Sequence, residues 1–434
     1  MKIVVVGAGV AGVAAAELLQ RYPGNRVTLI EAKSQIGTGA SMDQHGWFHM
    51  GSLYSIQSLE ESVTSAVKNV RILTRYYESY VNQETDEPGN RNRNTWFVDE
   101  PISYLFPGGW HLPYDVRQAA YSKELDGFLH FSQDIVSAGA ALGQLLKFNR
   151  VWSGVKIVSS DLPMRTKKIL DDLVCSFQTN GGEIRLSSKY LSHGSTAAGG
   201  VEVTLVDGAT VHADVCVICS GEQLASCGWN AHGLVVRRSP IMVVTPALCN
   251  ENIVVVEAKD HASFSHIVHS HRGQRYSVVS GAYSADVGDE EGSNRAAMLL
   301  KQVTRTHFPA RFDASSHELY FGTKVDRLHR EDRRDYSPTI VKLERNVIGA
   351  IPGKFSFAFL LAHNLALRVM SGKDIPSSTA LSGRRDPAMV ATPKHELVAA
   401  ALLQARRSRQ MDRDRPSYKL DEAASKLDDV RSAR

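Results

Sequence analysis

The chain has 434 residues, 43% of them apolar and 22% charged, with a formal net charge of +4. It is long enough for a sizeable core and two interleaved domains. The surplus charge lies at the end: Lys373 to Arg434 holds 13 Lys/Arg against 9 Asp/Glu and the remainder is balanced, which argues against nucleic-acid binding as the main task.

The chain opens on an apolar β-branched run, Lys2-Ile3-Val4-Val5-Val6, followed by Gly7-Ala8-Gly9-Val10-Ala11-Gly12. An Ala-rich helix follows, and then a second strand, Val27 to Ile30, closed by Glu31. This order of strand, glycine turn, helix and acid-tipped strand is a dinucleotide fingerprint. Gly7 permits the tight turn, Gly9 lets backbone approach a diphosphate, and Gly12 lets the helix lie close to the strand. The helix start, with Val10 and Ala11, offers N–H groups and partial positive charge to phosphate. Glu31, followed by Ala32, can accept from ribose hydroxyls. The five cysteines include Cys216 and Cys219, but in a strand residues three apart face opposite ways. They read as buried apolar residues in a reducing compartment, so a cytoplasmic location is expected. No apolar run reaches about 18 residues, so no membrane span is expected.

A loop rich in Gly, Ser, His and aromatic residues comes next, from Gly37 to Tyr54. Together, the N-terminal fingerprint and the segment Gly39-Ala40-Ser41 to Gly46 resemble the D-amino acid oxidase (DAO) family of FAD-dependent oxidoreductases. Gly46-Trp47-Phe48-His49-Met50-Gly51-Ser52-Leu53-Tyr54 is most similar to the L-2-hydroxyglutarate and glycerol-3-phosphate oxidising members. The resemblance implies FAD as cofactor, contacts from Gly39 and Ser41, and His49 beside the flavin. Some members attach the flavin through a histidine in this segment; the aligned position here is Asp43, so FAD is expected to be non-covalent. The implied fold class is α/β, a Rossmann-like FAD-binding domain interleaved with an α+β substrate domain on an antiparallel sheet. The expected division is FAD domain 1–80, substrate domain 81–150, FAD domain 151–235, substrate domain 236–330, FAD domain 331–372 and a charged, partly disordered tail 373–434.

Leu59 to Leu73 reads as a helix, Asn82 to Asn94 as polar turns, Trp96-Phe97-Val98 as a short strand, Pro101 to Pro113 as a loop and Phe128 to Phe148 as a helix. Ser160-Asp161-Leu162-Pro163 reads as a capped helix start, with the helix running to about Gln178. Strands follow at Glu183–Leu186, Val201–Leu205 and Asp214–Cys219, the last ending at Ser220-Gly221. The resemblance places Tyr190 at the adenine and Gly221 close to the nucleotide; Gly221 equally fits a plain strand-end turn. Ile241 to Ser280 holds further strands, and between them His261 to His271 reads as an amphipathic strand with histidines on an edge rather than a metal cluster. Asn294 to His307 reads as a helix.

Asn346 to Ile351 is a strand, Pro352-Gly353 a break, and Lys354-Phe355-Ser356 the start of an apolar helix that ends near Met370. Such a start stabilises negative charge. In the resembled family it points at the flavin N1/C2 edge, and Lys354 would add a formal charge. Beyond Gly372 a short helix, Glu396 to Arg407, leads into a charged segment expected to be solvated and mobile.

The predicted reaction is oxidation of a C–H beside an amine or hydroxyl, with hydride passing to the flavin. His49 is the candidate base, an imidazole with an ordinary pKa near ~6.5, and Tyr54 is a second pocket candidate. No metal is expected. The expected partners are a small-molecule substrate and an electron acceptor, oxygen or a carrier. An NAD-dependent dehydrogenase on the same fold and a flavin-binding protein without turnover are the alternatives. Arg327, Arg330, Arg333 and Arg334 could hold a carboxylate clamp, though they read more simply as a solvated face.

Overall fold

The strand Lys2–Val6 is the centre of the first sheet. It pairs in parallel with Arg26–Ile30 on one side and Val215–Ile218 on the other. Glu183–Arg185 and Val347–Ile351 extend the parallel sheet at its two sides, and Thr339–Glu344 adds an antiparallel edge. Strands buried on both faces need continuous apolar sequence, which is why Ile3 to Val6 carries no alternation. In this computed structural model the described residues are 1–56, 60–81, 96–98, 100–107, 135–136, 154–159, 161–227, 233–257, 261–328, 334–376, 386 and 388–414.

The helix Val10–Gln20 is buried on every side. It packs on the helix Ala358–Val369 and on Thr166–Thr179. Small residues, Ala11 and Ala14 to Ala16, permit that close approach. Glu17, on this helix, is fully buried and forms a two-pronged pair with Arg21, at 2.7 and 3.0 Å. The Tyr77 hydroxyl donates to Glu17 Oε2 at 3.0 Å and the Ser176 hydroxyl to Oε1 at 2.7 Å. One carboxylate thus ties three helices together, the third being Glu60–Val81.

The second sheet has ten strands. Its long members, Leu234–Thr245, Ser316–Leu328, Gln274–Ser280 and His261–His271, pair antiparallel. Asn252–Glu257 joins them and pairs in parallel with Ile102–Pro107. Tyr190–Ser195, Val201–Leu205 and Thr210–Ala213 form a separate three-stranded sheet.

Several expectations are corrected. Ile102–Pro107 is a strand of the second sheet, not part of a loop; pairing on both sides outweighs its flanking prolines. Ser160 lies outside the described residues, and Asp161-Leu162-Pro163 does not open a helix. Leu162–Pro163 pairs with Trp47–Phe48, and the helix starts at Thr166, because the Asp161 carboxylate is engaged elsewhere. His261–His271 is an interior strand, so His266 and His269 lie within the sheet rather than on an edge. Nor is the start of the tail a solvated extension: Val390 and Ala391 are buried, and Ile36 exchanges backbone hydrogen bonds with Met389 and Ala391, at 2.9 Å each. The helix Lys394–Asp414 continues from there with His395 and Ala399 buried.

Of the other readings, the helix near Leu59 spans Glu60–Val81, and Trp96 to Val98 makes a single bridge, Phe97 with Met164. The turns at Asn82 to Asn94 and the end of the tail lie outside the described residues. So does Phe128 to Phe148, apart from Ile135–Val136, which pairs as a short strand.

Candidate functional site

The turn after the first strand shows why glycine stands there. Gly7 has φ +94°, and a Cβ on it would come within 2.8 Å of the Cys219 carbonyl oxygen. Gly7 N–H donates to the Ile30 carbonyl at 2.8 Å, closing the turn against the second strand. A Cβ on Gly12 would overlap the Gly7 carbonyl oxygen. Gly12 therefore sets the helix-to-strand spacing and does not line the cavity.

Glu31 faces the same turn. Its Oε2 accepts from Ala8 N–H at 2.8 Å and its Oε1 from Lys33 N–H at 2.9 Å. Each oxygen keeps further acceptor capacity, and the two bonds fix the carboxylate at the rim. Ser41 is buried, with its Oγ accepting from Val10 N–H at 2.9 Å. This bond holds the short helix Ala40–Asp43 to the start of the nucleotide helix.

A cavity of about 820 Å³ starts at this turn. Gly7, Gly9, Val10 and Ala11 line it at one place, Glu31 and Ala32 beside them. Gly39, Ser41 and His49 line it from the following loop, Tyr190 from a later strand and Gly221 from the 3-10 turn that follows the strand Val215–Ile218. Gly353, Lys354, Phe355 and Ser356 line the same cavity although they lie more than three hundred residues along the chain. Tyr54 does not reach it. That ring is fully buried, 5.8 Å from His49 and 5.6 Å from Phe357, and so backs the site.

Sequence reasoning missed other lining residues. His45 and Trp47 come from the predicted loop, and Gly322, Thr323 and Lys324 from the second sheet. The Trp47 ring lies 4.0 Å from the His49 ring, tilted by 35°. Burial, together with the Lys354 and Lys324 cations, pushes His45 down to about 3. Lys354 and Lys324 both line the cavity and make this end of it electropositive. Lys354 Nζ lies 4.8 Å from the centre of the Tyr336 ring, a cation–π arrangement. Lys354 precedes the 3-10 turn Phe355–Phe357, which runs into Ala358–Val369. Asn69 Oδ1 accepts from Leu360 N–H at 2.9 Å and caps that helix from below.

The strongest omission is Asp161. It is fully buried and takes donors from Trp47, Met50 and Tyr104. A Ser-Asp-Leu-Pro string reads locally as a cap, and nothing near it in sequence announces these partners.

Elsewhere the described residues hold no group of three or more His, Cys, Asp and Glu placed to hold a metal. Cys175, Cys216, Cys219 and Cys249 are buried and form no disulfide, and burial pushes Cys219 up to about 12. Of the four arginines, Arg330 and Arg333 lie outside the described residues, while Arg327 stands opposite Asp335 and Arg334 opposite Leu328 in a strand pair at the sheet margin. No helix among the described residues is long and apolar enough to cross a membrane.

The cavity suits an elongated dinucleotide on internal evidence. Its walls hold buried polar atoms without a protein partner, Ser220 Oγ, Ser356 Oγ and His45 Nε2. Buried groups of this kind normally have partners, so a polar ligand along the cavity accounts for them. The turn at Gly7 and the helix start would offer an anion its N–H groups at one end.

The fold and this site define a dinucleotide-dependent oxidoreductase. The model of the DAO family, described as FAD dependent oxidoreductase, matches residues 2–351, and the chain belongs to that family. Its cofactor is FAD and it is an enzyme of the oxidase or dehydrogenase kind. Solved structures share the fold. The dithionite-reduced L-alpha-glycerophosphate oxidase of Mycoplasma pneumoniae with FAD bound is 15% identical, over 90% of this chain and 98% of that one, at a TM-score of 0.62. L-proline dehydrogenase of P. horikoshii is 14% identical, over 86% and 95%, at 0.62. Glycine oxidase of Geobacillus kaustophilus is 15% identical, over 88% and 96%, at 0.58. At these identities the likeness concerns the fold alone. No curated protein matches the sequence.

Proposed function

We propose that this chain oxidises a C–H bond beside an amine or hydroxyl of a small molecule, an amino acid, amine or 2-hydroxy acid, at non-covalently held FAD. One observation carries the reading: Gly7 to Ala11 and Gly353 to Ser356 line one cavity. The first segment would hold the diphosphate at the helix start, with Glu31 and Ala32 at a ribose. Gly39 and Ser41 would flank the diphosphate, and Tyr190 and Gly221 the adenosine end. Lys354 and the turn Phe355–Phe357 would face the flavin ring and place positive charge beside it. Bound FAD supplies the hydride acceptor.

His49 takes the proton from the substrate hydroxyl or ammonium on an imidazole nitrogen. It is 4% exposed and lines the cavity, so it reaches substrate while being screened from bulk water. Tyr54 and Trp47 pack against it on either side and restrict its ring. Lys324 brings a cation from the second sheet to the same space. Asp43 is a carboxylate, which supports dissociable flavin at the position aligned with the flavin-bearing histidine of other members. The neighbours named as glycine oxidase, proline dehydrogenase and glycerophosphate oxidase support amines and alcohols as the substrate range. The electron acceptor is oxygen or a carrier. Four buried cysteines outside any disulfide support a reducing, cytoplasmic setting.

The test is an anaerobic screen of hydroxy acids, amino acids and N-methyl amines against the yellow protein. Bleaching by one class identifies the substrate, and acid precipitation should leave the yellow colour in the supernatant. A colourless protein that takes up no added FAD defeats the reading.

A further inference from the structure

Asp161 stands outside the cavity, yet three of its contacts converge on the segment that presents His49. Its Oδ1 accepts from Met50 N–H at 2.8 Å. Its Oδ2 accepts from Trp47 Nε1–H at 3.1 Å and from the Tyr104 hydroxyl at 2.7 Å. Ser52 N–H also donates to the carboxylate. The Asp161 N–H in turn donates to Ser159 Oγ at 3.2 Å. Asp161 and Tyr104 are fully buried.

A lone buried carboxylate is costly, and one surrounded by donors is held in place. Burial drives the Asp161 carboxyl upward, whereas each donor favours its ionised form. All four donors can be satisfied at once only by an acceptor with several lone pairs, which a carboxylate is and a carboxamide is not. The bonded residues bracket His49. Trp47 lies two positions before it, Met50 and Ser52 follow it, and the Trp47 ring also packs against its ring, tilted by 35° with centroids 4.0 Å apart. Tyr104 belongs to Ile102–Pro107, a strand of the second sheet. The bond from Tyr104 therefore ties the orientation of the His49 segment to that sheet.

We propose that Asp161 is a positioning residue for His49, one buried carboxylate that fixes the 47–52 segment on both sides of the base and keys it to the substrate sheet through Tyr104. The proposal rests on the reading of His49 as the base, but its physical core, the grip on the His49 ring, can be measured without turnover.

The experiment follows histidine ring resonances in selectively labelled full-length protein. The signal that disappears in His49→Gln is assigned to His49. Packing against the Trp47 ring shifts it upfield in the wild type. In Asp161→Asn one acceptor oxygen becomes an N–H₂ facing the Trp47 and Tyr104 donors. The His49 signal should then move toward the position of a free imidazole, and its titration midpoint should change. With the substrate found in the anaerobic screen, kcat should fall about 10-fold or more, as expected for a misplaced base. KM and the FAD dissociation constant should stay within about threefold, because Asp161 touches neither ligand. The acid limb of the pH profile should shift with the resonance.

Tyr104→Phe removes one donor and keeps the carboxylate, so it serves if Asp161→Asn does not fold. It should move the same signal in the same direction by a smaller amount, and the double variant should be non-additive. A His49 signal and pH limb unchanged in the variants that fold overturn the proposal. Full turnover in His49→Gln would sink the base reading alone, and the resonance would still decide the role of Asp161.

Discussion

The two ends of the cavity are built by different means. The end proposed to hold the diphosphate is assembled from neighbours in sequence: a strand, a turn and a helix within the first twenty residues, with Glu31 eleven residues beyond. Its geometry is enforced by backbone, through the Gly7 turn and the contact of Gly12 with the Gly7 carbonyl. The end proposed to be reactive is assembled from pieces far apart, His45 to His49, Gly322 to Lys324 and Gly353 to Ser356. Its geometry is enforced by buried side-chain bonds, Asp161 to Trp47 and Tyr104, and Asn69 to Leu360. A ligand-anchoring end can be local because phosphate needs only N–H groups. A reacting end must gather imidazole, ammonium and aromatic groups whose chemistry no short stretch supplies.

The sharpest way to break the diphosphate end lies beneath it. Glu17→Gln leaves Arg21 charged and buried without its carboxylate partner and turns one of the two oxygens that accept from Tyr77 and Ser176 into a donor. Losing one member of a buried pair typically costs ~3–5 kcal/mol. Urea unfolding should show a loss of that order. A loss below about 1 kcal/mol, the range of surface pairs, would show that the pair is solvated and does not hold the three helices.

The second sheet has its own weak point, and it is pH. His266 is fully buried, with Nδ1–H donating to the Glu251 carbonyl at 2.9 Å. Its Nε2 accepts from the Ser277 hydroxyl at 2.7 Å, and that oxygen accepts from Leu248 N–H. The arrangement fits a neutral ring, and burial pushes His266 down to about 4. The unfolded chain therefore binds the proton first. The stabilisation is complete above ~6.5 and is lost as pH falls from there to about 4, in an amount of about 3 kcal/mol for this one group. His269, His45 and His395 are lowered too, so acid should act steeply. His266→Asn keeps the donor to Glu251 and removes the titration. Its melting temperature should fall less between pH 7 and pH 4.5 than that of the wild type, and an equal fall would reject the assignment.

Gly12→Ala tests the backbone end at smaller scale. The new Cβ meets a carbonyl oxygen that cannot rotate away, so the helix must shift. Overpacking of this kind costs about 1–3 kcal/mol. FAD affinity should fall with it, whereas the histidine signal of His49 should stay in place, because Asp161 and Trp47 are untouched. Movement of both would show that the two ends are mechanically one.

This division also explains what could be read in the sequence. Gly7, Gly9, Gly12 and Glu31 were legible because their spacing is the structure. The return of Gly353 to Ser356 to the cavity was legible from a strand, a Pro-Gly break and an apolar helix together with family resemblance. Asp161 was not, since its donors stand at positions 47, 50, 52 and 104 and its own neighbours imitate a helix cap. Lys324 lies in a strand with no motif. The part of the tail around Val390 does not follow the solvation its charges suggest, since it adds a parallel bridge to Ile36 and carries His395 to within 4.4 Å of His269.

The smallest expected effect probes the electropositive end directly. Lys354 is one of two cations that lower His45, while burial does most of the work. Lys354→Met should therefore raise the His45 midpoint from about 3 without bringing it to the ordinary value near ~6.5. Lys324→Met should act in the same direction by less, since its contribution ranks below that of Lys354. Histidine resonances read both shifts in the absence of substrate. A midpoint that does not move in either variant would place the ammonium groups away from His45 and remove the case for a focused positive field at this end. Movement in both would show that the charge reaches the cavity from two elements, the turn before Ala358–Val369 and the second sheet, which the distant assembly of this end requires.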